Sequence, residues 1–143
     1  MKLVISGTDG SDGAERALAI AADLVKSIDG KLLIVNVSED KFSGADLRLL
    51  EQLQVSEGDA LEQIGQRILM RARTIAQDHG AVNVETMSGA GDPAQVLIDI
   101  ANTKHADAIV VGRRGHGELE GLLLGSVSQK LACLAPCAVL VIP

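Results

Sequence analysis

Residues 107–127 have the sequence DAIVVGRRGHGELEGLLLGSV, and this stretch decides the fold. The apolar run at 108–111 predicts a buried strand that stops at Gly112, and Gly125-Ser126 opens a helical pattern after a loop rich in glycine. Such a loop is typical of an anion site, because glycines let backbone N–H groups approach a phosphate and a helix start supplies unpaired donors. A merely flexible surface connection is the competing interpretation.

The length and composition of the chain predict one ordinary globular domain spanning residues 1–143. Hydrophobic residues make up 47% of the chain and charged residues 22%. The net charge of −6, with one Phe and no Trp or Tyr, argues against nucleic-acid or anionic-lipid partners and against stacking on bases. No run approaches the roughly 18 apolar residues of a membrane span. The first residues are too short a pattern for a signal peptide, so we expect a cytoplasmic protein with no membrane partner.

The two cysteines, Cys133 and Cys137, are four residues apart. They share a face if a helix continues through them, whereas a break at Pro136 would separate them. Neither has a nearby His or a further Cys, so a zinc site is disfavoured. We expect two small buried thiols in a reducing compartment.

Strand and helix signals alternate along the chain. Apolar runs or alternation predict strands at residues 2–7, 32–37, 82–87, 108–111 and 138–142. Periodic apolar positions predict helices from about 12 to 28, from 59 to 79, from Pro93, and from about Ser126 to a stop at Pro136. Residues 38–57 predict a connection with a partial helix, and the alternating pattern at 82–87 suits a strand near a sheet edge.

Several residues indicate where the predicted helices begin or end. Asp12, with Glu15 three residues later, predicts a capping box, and Gly30 predicts a left-handed C-cap. Asp92 followed by Pro93 predicts an N-cap and a first helical residue. His79 and His105 fall near helix ends, where a cap or dipole role is the default.

The connections are too long for hairpins, so the sheet should be parallel with right-handed crossovers, giving a single doubly wound, Rossmann-like α/β domain. Such sheets bind ligands at the carboxyl ends of the strands, where the winding direction reverses. The loops at 7–12 and 112–126 both leave carboxyl ends. They can therefore face one crevice, which favours a ligand site over a flexible connection.

These residues together resemble the universal stress protein family along essentially the whole chain. Gly112-x-x-Gly115, nine residues, then Gly125-Ser126 matches the G-x2-G-x9-G-(S/T) motif of its ATP-binding branch. Supporting matches are Thr8-Asp9-Gly10-Ser11, Gly91-Asp92-Pro93 and Leu123-Leu124-Gly125-Ser126-Val127. The resemblance implies an adenine nucleotide alpha hydrolase-like fold with five parallel strands in the order 3-2-1-4-5 and helices on both faces. It also implies a homodimer formed through residues 138–142, whose uncharged edge would otherwise be left open.

The resemblance further implies adenine-nucleotide binding, with ATP first and AMP or ADP as alternatives. Asp9 and the main chain of Gly7-Thr8 would meet the adenosine, Val37 the adenine edge, and the loop glycines the ribose and phosphates. Mg or Mn would enter only as an ion bridging phosphates, with no protein metal site. The full set of nucleotide-binding residues expected is Gly7, Thr8, Asp9, Val37, Val111, Gly112, Arg113, Arg114, Gly115, His116, Gly117, Gly125, Ser126 and Val127.

Alternative roles compete at individual positions. Asp9 can simply cap a turn or the following helix, and Ser126 can be an N-cap as well as an anion donor. Arg113 and Arg114 fit a solvated loop as well as a phosphate clamp, and His116 is first a polar loop residue. Glu118 and Glu120 would repel nearby phosphates unless they point outward or a metal intervenes.

No catalytic set emerges from the sequence. There is no G-x4-GK(S/T) loop, no paired carboxylates and no nucleophile–His–acid spacing. We therefore expect a binding module in stress regulation, with slow ATP hydrolysis at most and an unidentified protein partner. The alternatives are an AMP- or cyclic-AMP-binding stress protein, a non-nucleotide-binding interaction protein of the same fold, and a small α/β transferase.

Overall fold

The computed structural model describes residues 2–38, 42–113, 115 and 124–143. Strands and helices alternate nearly throughout, as the sequence predicts. The strands are β1 (Leu3–Gly7), β2 (Lys31–Ser38), β3 (Asn83–Ala90), β4 (Ala108–Gly112) and β5 (Ala138–Ile142). The helices are α1 (Asp12–Ile28), α2 (Gly44–Gln52), α3 (Glu57–Asp78), α4 (Pro93–Lys104) and α5 (Ser126–Leu134).

The five strands form one parallel sheet in the order β3-β2-β1-β4-β5, which confirms the predicted topology. The winding direction reverses between β1 and β4, which are neighbours in register, with Ile5 opposite Ile109 and Ser6 opposite Val110. The carboxyl ends of these two strands therefore lie side by side. This is the switch point at which open α/β sheets bind ligands.

Helices cover both faces of the sheet. Leu18 and Val25 of α1 and Leu69 of α3 pack on one face, while Leu97 of α4 and Leu131 of α5 pack on the other. Aliphatic side chains and alanines fill both layers, as a chain with one aromatic residue requires. Strand β2 is buried nearly throughout, and β3 lies at the sheet edge as its alternation predicts.

The boundaries of α1 correct two predictions. Ser11, not Asp12, is the N-cap, and its hydroxyl accepts from the Ala14 N–H at 3.3 Å. Glu15 does not complete a capping box, because Ala14 is the third helical residue after this N-cap; the Glu15 carboxylate binds Arg71 of α3 instead. At the other end Asp29, not Gly30, takes the left-handed conformation, with φ of 52°. Asp is one of the few non-glycine residues that tolerate this region.

The structure after α1 agrees more closely with the predictions. The partial helix expected in 38–57 is α2, which has a complete capping box between Ser43 and Asp46 but no buried residue. His79 and His105 are the C-caps of α3 and α4, and Asp92 caps α4 as predicted. The expectation of two buried thiols is wrong: α5 ends at Leu134, which leaves Cys133 exposed on the helix and Cys137 partly exposed beyond it.

Candidate functional site

The loops after β1 and β4 meet at the carboxyl edge of the sheet. Gly115 lies so close to the turn after β1 that a Cβ on it would be 2.2 Å from Asp9 Oδ2. Real Cβ atoms do not approach heavy atoms to that distance, so only glycine fits position 115 while Asp9 holds this orientation. The two loops that the sequence predicts to share a crevice are therefore in contact.

The turn after β1 is fixed by hydrogen bonds at each residue. The Thr8 N–H donates to the Val35 carbonyl at 2.9 Å, and the Gly10 N–H donates to Thr8 Oγ1 at 3.2 Å. Asp9 Oδ1 accepts from the Ser11 N–H at 2.9 Å, so Asp9 does cap the turn. Because that bond uses Oδ1, the second oxygen of the carboxylate is directed to Gly115. Capping thus orients Asp9 rather than competing with a ligand role.

Asn36 is a site residue that the sequence predictions missed. Its amide Nδ2 donates to the Thr8 carbonyl at 2.9 Å, and its side chain is buried between β2 and Gly65 of α3. This bond ties the turn after β1 to the end of β2. The signal was present in the sequence, since Asn36 is the one polar residue in the apolar run at 32–37.

The start of α5 is joined to the end of β4 through the Arg113 carbonyl. That oxygen accepts from the Gly125 N–H at 2.7 Å and from Ser128 Oγ at 2.8 Å. The Arg113 N–H in turn donates to the Ile142 carbonyl of β5 at 2.6 Å. Ser128, fully buried, is the second residue that the sequence predictions missed. A helix start is thereby held beside the glycine loop, as an anion site requires.

This geometry changes two predicted roles at the helix start. Gly125, not Ser126, is the N-cap of α5, and it has no side chain with which to cap the helix. Ser126 is exposed and is the first helical residue. The Gly125 N–H, expected to face a phosphate, donates instead to Arg113.

Two of the predicted glycines lie in close contact with helices. A Cβ on Gly112 would lie 2.9 Å from the backbone carbon of Gly13 in the first turn of α1. A Cβ on Gly7 would lie 2.8 Å from Leu97 Cδ1 of α4. Both strand ends are thus in close contact with helices, which is one of the uses of glycine in a strand. Gly115 differs from both because its close neighbour is a polar side chain of the site.

An apolar wall of three valines lies on the sheet face that α4 and α5 cover. Val37, Val111 and Val127 all pack with the core on that face, with Val111 buried and the other two partly exposed. Val37 and Val111 are the last but one residues of β2 and β4, and Val127 is the second residue of α5.

The charged groups near the crevice are few in the described residues. Lys130 of α5 donates to Asp92, the N-cap of α4, at 2.9 Å, which links the two helices. The Lys130 hydrogen bond, with the Gln95 N–H, holds the pKa of Asp92 below its usual value. The Nε of Arg113 is buried and has no hydrogen-bond partner among the residues that the structure describes. An anion near this guanidinium would satisfy it.

Arg114, His116 and Gly117 lie outside the described residues, as do Glu118 and Glu120. Among the residues that are described, no group of three His, Cys, Asp or Glu side chains is arranged to hold a metal ion. In the part of the chain that the structure describes, no helix is long and apolar enough to cross a membrane.

The fold and the two joined loops define a doubly wound α/β domain with a crevice at its switch point. Comparison with known proteins narrows that class. The chain belongs to the universal stress protein family, whose model matches residues 1–143.

Relatives and solved structures support this membership over nearly the full length. Universal stress protein Rv1636 of Mycobacterium tuberculosis is 33% identical over 144 residues, covering 99% of this chain and 95% of the relative. A universal stress protein crystallised in complex with cAMP superposes with a TM-score of 0.72 and 28% identity, covering 99% of this chain and 95% of that one. UspA from Lactobacillus plantarum gives a TM-score of 0.78 at 25% identity, covering 99% and 97%.

Proposed function

We propose that this protein is an adenine-nucleotide-binding module of the stress response, with ATP as its preferred ligand. The observation that carries the proposal is the contact between Gly115 and Asp9, since it brings the glycine loop against the turn expected to hold the adenosine. The complex of a 28% identical relative with cAMP supports an adenine ligand. The G-x2-G-x9-G-(S/T) spacing supports a ligand with a phosphate chain.

The described residues suggest a division of the ligand along the crevice. The apolar wall (Val37, Val111 and Val127) would take the adenine, and Asp9 would accept from the ribose hydroxyls. Phosphates would extend towards the start of α5, where the helix dipole and backbone donors favour negative charge. Arg113, whose Nε is buried and unpaired among described groups, supports a ligand with more than one phosphate.

AMP and cyclic AMP are the main alternative ligands. Both would occupy the apolar wall and Asp9 but would leave the start of α5 and Arg113 largely unused. A ranking of ATP above AMP would therefore report on the phosphate half of the crevice. Equal affinity for the two would mean that only the adenosine half binds.

We further propose that two copies pair through β5. This strand bonds to β4 on one side only, and all five of its residues are uncharged. Exposed apolar edges of this kind tend to be covered. Sedimentation over a concentration series should give twice the monomer mass of 14.9 kDa. A 14.9 kDa species at all concentrations would contradict the pairing.

Binding without rapid chemistry is part of the proposal. The sequence supports this, since it has no G-x4-GK(S/T) loop and no nucleophile–His–acid spacing. We propose a cytoplasmic regulator whose liganded state is sensed by another protein, with slow ATP hydrolysis at most. Release of phosphate at ordinary enzymatic rates of roughly 1 per second or faster would overturn this part.

Calorimetric titration with ATP, AMP and cyclic AMP tests the ligand assignment. The protein has no Trp or Tyr, so a carried nucleotide would also be visible as an ultraviolet band that is released on denaturation. Gly115→Ala should weaken ATP binding at least tenfold, because its Cβ would displace the Asp9 carboxylate. Gly44→Ala is the matched control, since nothing lies within 4 Å of a Cβ there. Unchanged affinity in Gly115→Ala, or no binding by the native protein, would refute the site.

A further inference from the structure

A second pocket opens on the other face of the sheet, between α1 and α3. Its volume is about 190 Å³. Ile68, Ala72 and Ile75 of α3 form an apolar side, and Thr8 and Gly10 of the turn after β1 form the wall next to it. The charged side consists of Arg67 and Arg71 of α3 with Glu15 of α1. The pocket thus borders the turn that contains Asp9, on the side of that turn that faces α3.

Some polar groups of this pocket have hydrogen-bond or ion-pair partners in the protein, and one does not. Arg71 donates to both carboxylate oxygens of Glu15, and Asp12 adds a further attraction to the same guanidinium. Arg67 makes no hydrogen bond or ion pair with any residue that the structure describes. Thr8 Oγ1 already accepts from the Gly10 N–H. Arg67 is thus an exposed cation without a protein partner among the described residues, and it lies beside a surface that is otherwise apolar or already hydrogen-bonded.

The wall next to the apolar side is fixed rather than loose. Gly10 has φ of 81°, and a Cβ on it would be 3.3 Å from Ile68 Cγ1. The turn therefore packs directly on α3, and the pocket begins where this packing ends. A volume of 190 Å³ corresponds to roughly six water molecules at their liquid volume of about 30 Å³ each.

We propose that this pocket binds a small amphipathic anion, a short-chain carboxylate. Its carboxylate would pair with Arg67, and its hydrocarbon chain would cover Ile68, Ala72 and Ile75. The charge-assisted hydrogen bond supplies selectivity for an anion, and the burial of the chain supplies much of the binding free energy. Apart from Thr8, none of the residues that line the pocket is among those expected to bind the nucleotide.

Amide NMR spectra of the nucleotide-free protein test this with three probes of one chain length: hexanoate, hexan-1-ol and hexylammonium. Hexanoate should shift the Gly10 and Ile68 signals saturably, with a Kd of about millimolar as expected for so few atoms. Hexan-1-ol should bind at least fivefold more weakly, and hexylammonium should not bind. Arg67→Met should weaken hexanoate about fivefold to tenfold. Arg73→Met, on the same helix but outside the pocket, should leave it unchanged.

Three results would overturn the proposal. Equal binding of hexan-1-ol and hexanoate would remove the anion preference, and full affinity in Arg67→Met would remove the residue assigned to it. Shifts confined to Val111 and Val127 would place the probe in the nucleotide crevice. ATP titration is a separate measurement, so failure of the nucleotide proposal would leave these outcomes interpretable.

Discussion

Gly112→Ala should destabilise the fold because the added methyl meets backbone that cannot rotate away. The new Cβ would lie 2.9 Å from the Gly13 carbon, 3.0 Å from its oxygen and 3.1 Å from the Ala14 nitrogen. Ordinary contact begins at 3.4 Å, so the first turn of α1 must move by about half an ångström against β4. Ala14 and Val111, on either side of this contact, are buried and resist that movement.

The magnitude follows from two opposing effects. Overpacking of a well-packed interior costs about 1–3 kcal/mol. Replacing glycine restricts the unfolded chain and returns about 0.4–1 kcal/mol. The net loss in the free energy of unfolding should lie between about 0 and 2.6 kcal/mol, and its central value of about 1.3 kcal/mol lowers Tm by roughly 4–5 °C for a chain of this size.

Far-UV circular dichroism during urea unfolding is the appropriate assay, since the chain has no Trp or Tyr to report by fluorescence. All variants must be compared at one protein concentration, because pairing of two copies would make stability depend on it. Gly44→Ala, which meets no atom within 4 Å, controls for the loss of a glycine as such. A Gly112→Ala protein as stable as Gly44→Ala would refute the packing role assigned to Gly112.

Other predictions concern single groups. Asn36→Leu should cost about 1–3 kcal/mol of unfolding free energy, since it leaves the Thr8 carbonyl without its amide donor, and it should also weaken ATP binding. Ser6→Ala should be neutral or stabilising by urea titration, because Ser6 Oγ is fully buried with no hydrogen-bond partner in the described residues. Asp107 accepts hydrogen bonds from the Leu3 and Lys2 N–H groups, which lowers the pKa of its carboxyl. Its contribution to the free energy of unfolding is therefore present above about pH 4 and is lost as the pH falls further. Asp107→Asn should flatten the acid side of a curve of stability against pH. Cys133 should react with a thiol reagent before Cys137, whose pKa is raised by burial, as mass spectrometry of partially labelled protein would reveal.

The fold was predictable because its signals are local and repeated. Continuous apolar runs imply strands covered on both faces, and long periodic connections imply parallel crossovers, so order and topology follow without knowledge of any contact. The limits of β5 at 138–142 and the start of α5 at Ser126 were predicted correctly for this reason. Choices between neighbouring residues were less predictable. Glu15 follows Asp12 at capping-box spacing, but Arg71, 56 residues later in the chain, binds its carboxylate instead.

The location of the site could be predicted from the sequence better than the role of each residue in it. Strand-end loops identify the crevice, and Gly115 beside Asp9 agrees with that prediction. The pattern of glycines cannot tell which one faces a ligand and which one faces a helix, and for Gly112 only the position of α1 decides. Asn36 and Ser128 were missed because their importance lies in the distant carbonyls that they bind, at Thr8 and Arg113.

The buried polar side chains of the described residues show where this fold departs from a purely aliphatic core. They are Ser6, Thr8, Ser11, Asn36 and Ser128. All five lie at or just beyond the carboxyl ends of β1 and β2 or in the first turn of α5. Buried hydroxyls and amides add little net stability even when paired, and an unpaired one is unfavourable. Four of the five are hydrogen-bonded to backbone groups, and these bonds keep two loops and a helix start in fixed positions, as a ligand site at that edge would require.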